Sequence, residues 1–248
     1  MKKISAIVIT KNEERNIAQC FESISWADEI IVVDAESDDK TIEIAKKFTQ
    51  KVFIKKWEGY APQKKYALSL VNHKWIFHID ADERVSPELK DEILNNLEDK
   101  DGFFIRRKNY LFGKEIATCG WGRDYQLRLF RLDKTELIEK KVNEGFKVNG
   151  NIGQLKNVIT HNTFSSIHNY LKKVNEYTTL RAEEIYESKN KVTRLTIFTH
   201  ALSAFLRYYI SLKGFKDGMR GLLISFVHSV SNMLTYVKVW EKQKNNPL

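Results

Sequence analysis

Over its first hundred residues the chain alternates short apolar runs with stretches of helical periodicity, and this alternation restricts the fold more than any other feature. Strands separated by helical patterns build βαβ units, which implies an α/β fold with a largely parallel sheet and helices on both faces. The pattern predicts strands at Ile4 to Thr10, Glu29 to Asp34, Val52 to Lys56, Trp75 to Ile79 and Gly102 to Lys108. Helices are predicted at Glu13 to Ser25, Asp39 to Thr49, Pro62 to Val71 and Pro87 to Leu97. Ser86-Pro87-Glu88 offers an N-cap, a proline at the first helical position and an early acid, and Ser37-Asp38-Asp39 offers several caps. With 248 residues, 42% of them apolar, the chain has ample material for a core. From residue 165 the character changes to long helical patterns, which predicts an α/β domain at 1–164 and a helical region at 165–248.

In such a sheet, ligands bind outside the carboxyl ends of the strands. There the sequence shows Thr10-Lys11-Asn12-Glu13-Glu14 after the first strand, Asp34-Ala35-Glu36-Ser37-Asp38-Asp39-Lys40-Thr41 after the second, and Asp80-Ala81-Asp82 after the apolar run Trp75-Ile76-Phe77. No glycine-rich dinucleotide loop and no phosphate-cradling Gly-x-x-x-x-Gly-Lys follows the first strand, which argues against Rossmann cofactor carriers and P-loop ATPases. Two carboxylates one residue apart at the end of a buried strand suit Mg²⁺ or Mn²⁺ bridging nucleotide phosphates, because hard cations take one or two carboxylates and complete their shells with phosphate and water oxygens. An acidic turn ahead of the helix at Pro87 is the competing reading of the same residues.

Three motifs in order, Val8-Ile9-Thr10-Lys11-Asn12-Glu13, Asp34-x-x-Ser37-x-Asp39-x-Thr41 and Asp80-Ala81-Asp82, resemble the family-2 glycosyltransferases, whose nucleotide-sugar domain has the glycosyltransferase A fold. The likeness continues through Gly120-Trp121, Tyr125 to Arg131, Asn143-Glu144 and His161 in the manner of the bacterial lipopolysaccharide core glycosyltransferases. It implies a metal-dependent, inverting transfer of a hexose from a UDP-sugar donor to a lipid-linked glycan acceptor at the cytoplasmic face of the inner membrane.

The resemblance also implies roles. Asp34 meets the uracil imide, with Thr10, Asn12 and Glu13 around the base and ribose. Lys64 stands where the family usually has an arginine facing the phosphates, and Lys65 competes for that role. Asp82 is the direct metal ligand, Asp80 reaches the ribose or a metal-bound water, and His161 supplies a third ligand. Glu144 is the first choice for the general base and Asp124 the second, although Asp124 is equally placed to hold Arg123 or Arg128. Asn143 stands where the family commonly has a histidine. Trp121 and Arg128 fall to the acceptor or sugar, with a buried aromatic as the other reading of Trp121.

The net charge of +9 is concentrated late: from Lys191 onward nine Lys and Arg stand against Asp217 and Glu241, so this segment holds +7 of it. One apolar stripe runs through Leu195, Phe198, Leu202, Phe205, Leu206, Tyr209 and Leu212, and a second through Leu223, Phe226, Val227, Val230, Leu234 and Val237. Amphipathic helices flanked by cations suit an anionic membrane surface, or the stripes pack on each other and on the main domain. No run of about 20 apolar residues appears, so a membrane crossing is not expected. Ile4 to Thr10 is too short for a secretory signal, and Cys20 and Cys119 read as structural thiols of a reducing cytosol. Two other classes compete. A nucleotidyltransferase shares the sheet and acidic pair but needs an early glycine- and arginine-rich loop that is missing. A basic nucleic-acid binding protein needs a recognition motif that is missing too, so no nucleic-acid partner is expected.

Overall fold

The computed structural model describes residues 2–97, 99–138, 145–164, 166–188 and 191–245. In chain order they form β1 (Ile4–Thr10), α1 (Ile17–Ile24), β2 (Glu29–Asp34), α2 (Thr41–Ala45), β3 (Val52–Ile54), α3 (Tyr60–Ser69), β4 (Trp75–Asp80), β5 (Glu83–Val85), α4 (Pro87–Asn95) and β6 (Gly102–Leu111). The remainder forms β7 (Lys114–Glu115), β8 (Tyr125–Arg131), β9 (Thr135–Ile138), β10 (Gly145–Val148), β11 (Ile152–Phe164), α5 (Ile167–Glu187), α6 (Arg194–Leu206) and α7 (Gly218–Asn245). These divide into two compact units, one of Met1–Lys108 with Asp124–His161, the other of Asn109–Arg123 with Asn162–Leu248.

The first unit is built on a sheet ordered β3-β2-β1-β4-β8-β6-β11-β5. The strands β3, β2, β1 and β4 are parallel. Beyond them β8 pairs antiparallel with β4 and β6, and β11 antiparallel with β5. Alternation along β1 explains why both faces are covered. Ile4, Ala6 and Val8 pack with Ile17, Phe21 and Ile24 of α1 and Leu89 and Ile93 of α4, while Ile7 joins Ile31, Val33, Ala67 of α3 and Phe130 on the other side. Strands buried on two faces need apolar residues at nearly every position, which is the composition of β1, β2 and β4.

Boundaries move from their predicted places for local reasons. The helix expected from Glu13 starts at Ile17, because the backbone N–H groups of Asn12, Glu13 and Glu14 instead donate to side chains of the loop after β2. The helix expected over Asp39 to Thr49 is limited to Thr41–Ala45. At α3, Gly59 adopts φ +113° as N-cap and Pro62 falls in the first turn, where its missing N–H has no helical partner to lose. The Ser-Pro signal holds: the Leu89 N–H donates to Ser86 Oγ at 3.3 Å.

The second unit contains residues 109–123, which the sequence placed with the α/β domain. Long-range bonds explain the reassignment. The Thr118 N–H donates to Asp217 Oδ2 at 2.9 Å and the Arg220 guanidinium donates to the Leu111 carbonyl at 3.0 Å, while Ile224 of α7 packs on Leu111, Ile116 and Cys119. Helix α7 packs Val227 on Tyr170 and Val174 of α5, and the His200 and Tyr236 rings stack between α6 and α7 at 4.2 Å. A Cβ at Gly221 would lie 1.8 Å from the Gly214 carbonyl oxygen, so only glycine permits this close corner. Contrary to the sequence expectation, Gly214–Asn245 reaches the length and mean hydropathy of a membrane-crossing helix. Its apolar window is 28% buried, and Ser225 and Thr235 of α7 are among the buried residues. Both cysteines are free and buried.

Candidate active site

The motifs after β1 and β2 lace one loop to the other. Asp34 is fully buried; its Oδ2 accepts from Thr10 Oγ1 at 2.7 Å and Ser37 Oγ at 2.6 Å, and its Oδ1 accepts from the Ser37 N–H at 2.7 Å. The Asn12 N–H donates to Ser37 Oγ at 2.8 Å, while Asn12 Oδ1 accepts from the Asp38 N–H at 3.0 Å. The Glu13 N–H donates to Thr41 Oγ1 at 2.7 Å, and the Glu13 carboxylate accepts from Asn16. Asn12 and Glu36 both adopt positive φ, 57° and 58°, a left-handed conformation that these loop bonds support. Thus Thr10, Asn12, Glu13 and Asp34 form one hydrogen-bonded rim at the carboxyl edge of the parallel strands. Asp34 retains one lone-pair direction on Oδ1 beyond these three bonds.

At the end of β4 the charges are organised from below. His78 and Asp80 point to the same face of β4, as residues two apart must. Arg128 of β8, only 4% exposed, donates to His78 Nδ1 at 2.7 Å, to Asp80 Oδ2 at 2.5 Å and to Glu83. Arg107 of β6 approaches Glu83 at 3.4 Å and Asp80 at 3.9 Å. Because arginine only donates, His78 Nδ1 is the acceptor and its proton sits on Nε2. That Nε2 is buried without a hydrogen-bond partner, 3.7 Å from Asp80 Oδ1. Burial, reinforced by Lys64 and Arg128, pushes the His78 pKa well down, so the ring is neutral. Lost solvation works to raise the Asp80 pKa, but the Arg128 guanidinium, with Arg107 behind it, outweighs this and holds the carboxylate well below its ordinary range. For Glu83, burial prevails over Arg128 and raises the pKa, with Asp80 adding to the rise.

Asp82 and His161 are brought together from distant parts of the chain. Pairing of β11 with β5 sets His161 opposite Glu83, and His161 Nε2 lies 3.3 Å from Asp82 Oδ2. Among the described residues no three His, Cys, Asp or Glu side chains form a metal cage. A carboxylate oxygen and an imidazole nitrogen at this separation nonetheless fit two adjacent ligands of one cation, since metal–ligand bonds of about 2.1 Å at right angles put ligand atoms about 3 Å apart. Asp80, two residues before Asp82 in the chain, has a side chain that is 42% exposed and is held by Arg128.

The other expected residues separate. Lys64 lies 5.5 Å from the Phe146 ring, which itself contacts His78, whereas Lys65 is exposed; this favours Lys64 as the cation facing the cluster. Asp124 is bridged to Arg107 at 2.7 Å and accepts from Gln126 at 2.7 Å, so Arg107 is a cation that it holds. Arg128, expected from the sequence to meet the acceptor or sugar, is occupied by His78, Asp80 and Glu83 and positions them. Trp121 belongs to the second unit, packed on the cluster of Leu111, Ile116 and Cys119. Glu144 lies outside the described residues. Sequence reasoning missed Glu83, Arg107 and His78 as a set; the signal available was an acid directly after Asp80-Ala81-Asp82 that no helix cap required.

Residues 5–161 match the family model described as "Glycosyl transferase family 2". The chain belongs to this family. This family 2 glycosyltransferase is 30% identical over 250 residues to the lipopolysaccharide core biosynthesis glycosyltransferase LpsC of Rhizobium meliloti, covering 96% of the chain and 92% of LpsC. It is 31% identical to an uncharacterized glycosyltransferase of Rickettsia conorii, with 98% and 93% covered. Among solved structures, S. aureus TarS in complex with UDP-GlcNAc superposes with a TM-score of 0.52 at 15% identity, over 98% of this chain and 91% of that one. The sheet with its helices is the glycosyltransferase A fold, and the C-terminal helices follow it.

Proposed function

We propose that this enzyme moves a hexose from a UDP-sugar to a lipid-linked glycan of the lipopolysaccharide core class, inverting the anomeric centre. The observation that carries the reading is the meeting of Asp82 and His161 at 3.3 Å just past the end of β4. The name of the Rhizobium relative, similar over nearly its whole length, supports the acceptor class. In this reading the Asp34 rim takes the uracil and ribose, and Lys64 faces the phosphates. Asp82 and His161 would hold Mg²⁺ or Mn²⁺, with Asp80 reaching the ribose or a metal-bound water, and the cation when bound offsets the charge that builds on the departing diphosphate. His78, Arg128 and Arg107 fix the Asp80 carboxylate, so little reorganisation is required as charge develops.

Glu144 acts as general base in this proposal: it takes the proton of the acceptor hydroxyl as that oxygen attacks the anomeric carbon and the bond to the diphosphate breaks, releasing UDP. Its support is the family resemblance and its place in the chain two residues before Phe146, whose ring contacts His78. Asp124 is the alternative, but both its oxygens already accept hydrogen bonds, from Arg107 and Gln126. The basic C-terminal unit keeps the enzyme on the cytoplasmic face of the inner membrane, where such an acceptor resides.

The test is UDP release with an acceptor analogue. Glu144→Gln should lower turnover by about 10²-fold or more with donor affinity nearly unchanged. Full activity in Glu144→Gln together with that loss in Asp124→Asn reverses the assignment of the base.

A further inference from the structure

The two apolar stripes of the second unit have different fates. The α7 stripe divides, with Val227 buried against α5 and Phe226 left outward. On α6, Ala204 is the single buried residue among thirteen, and Leu195, Phe198, Leu202 and Leu206 form an exposed line at helical spacing. Leu195 is 70% and Phe198 65% exposed, and around the corner into α7 Met219 is 77% and Phe226 59% exposed. Soluble monomers seldom leave so many large apolar side chains together in water, and such patches mark docking surfaces.

Charge identifies the occupant. Arg194 and Arg207 are exposed at the two ends of α6, and Lys213 and Lys216 are exposed at the corner. The acid nearest in sequence to Arg207, Lys213 and Lys216, Asp217, is engaged by Thr118. A twofold pairing of this face with a second copy would bring these cations toward one another, whereas an anionic bilayer meets both the apolar stripe and its cationic margin. A helix of 13 residues spans about 20 Å, too short to cross a hydrocarbon core of about 30 Å.

We propose that α6 and the α6–α7 corner lie in the headgroup region of an anionic bilayer, with Leu195, Phe198, Leu202, Leu206 and Met219 inserted and Arg194, Arg207, Lys213 and Lys216 on the lipid phosphates. This deepens the reading of a membrane-bound acceptor and rests on it, by naming the surface that docks and the manner of docking.

Flotation of the full chain with phosphatidylglycerol-containing vesicles, against phosphatidylcholine alone, tests it. The parent should float only with the anionic vesicles. The triple variant Leu195→Ser, Phe198→Ser, Leu202→Ser should bind at least tenfold less while keeping its activity on a soluble acceptor analogue. A nitroxide on Leu202→Cys, both native cysteines being buried, should become shielded from an aqueous relaxation agent when vesicles are added. Unchanged flotation of the triple variant, or a label that stays accessible, overturns the face assignment and leaves the membrane reading standing. A parent that never floats overturns both. A dimer of the parent that the triple variant abolishes assigns the face to a second copy and also overturns the proposal.

Discussion

The two ends of the parallel strands carry similar side chains in opposite states of satisfaction. At the amino end Glu29 is buried and accepts from Ser5 Oγ, from Lys51 Nζ, and from the backbone and side-chain nitrogens of Asn72 at 3.0 and 2.6 Å. Its hydrogen-bonding capacity is filled. At the carboxyl end His78 keeps a buried donor without a partner, Asp80 keeps an exposed edge, and Asp82 meets His161. A cavity of about 490 Å³ opens beside Glu29 and Lys51, at the end opposite the motif residues. Unfilled hydrogen-bonding capacity next to charge, more than burial or cavity size, marks where a ligand belongs.

Removing the cation that organises the carboxyl end should have the largest effect. Arg128→Met leaves Glu83 buried without its main partner and should destabilise by about 3 to 5 kcal/mol in urea unfolding. A cost below about 1 kcal/mol would mean that the cluster is loose and solvated.

The amino end should lose somewhat less stability and no binding. Burial tends to raise the Glu29 pKa, but the bonds from Lys51, Ser5 and Asn72 lower it from 4.5 to about 2. A depressed folded-state pKa contributes stability that is present above the unfolded value and lost as pH falls from 4.5 through about 2. Glu29→Gln should therefore cost about 3 kcal/mol at pH 7, flatten that acid limb, and leave UDP affinity at the parental value. Weakened UDP binding in this variant would break the contrast between the two ends.

The smallest effect sharpens the comparison within the nucleotide rim. Ser37→Ala removes a donor to Asp34 and the acceptor of the Asn12 N–H. It should cost about 1 kcal/mol of stability by thermal or urea unfolding. UDP affinity should drop as well, because Asp34 loses one of the bonds that orient it. Loss of stability with no change in affinity would make the rim purely structural.

The sequence revealed the parallel strands because burial on both faces forces continuous β-branched and apolar runs, as in Ile4–Thr10 and Glu29–Asp34. The antiparallel extension was less legible. Strands β8 and β11 pair across long separations, and β6 against β8 carries a register irregularity at Phe103/Phe104 that no local periodicity announces. The same distance hid the ion cluster: Asp80 and Glu83 are neighbours in sequence, but Arg107 and Arg128 arrive on later strands. In the tail, a stripe at helical spacing shows that a face is apolar without showing what it meets. Hence Leu223 and Val227 pack on neighbouring helices while Leu195 and Phe198 face outward.

The central claim, that the Asp80–Asp82–His161 end receives a nucleotide diphosphate together with a divalent cation, is tested most directly by titration calorimetry of UDP with the parent and with Asp82→Asn, each with Mn²⁺ and with EDTA. The parent should bind at least about tenfold more weakly in EDTA, a coupling of about 1.4 kcal/mol, and Asp82→Asn should remain folded yet show no difference between the two conditions. Equal UDP affinity of the parent with Mn²⁺ and with EDTA would contradict the account.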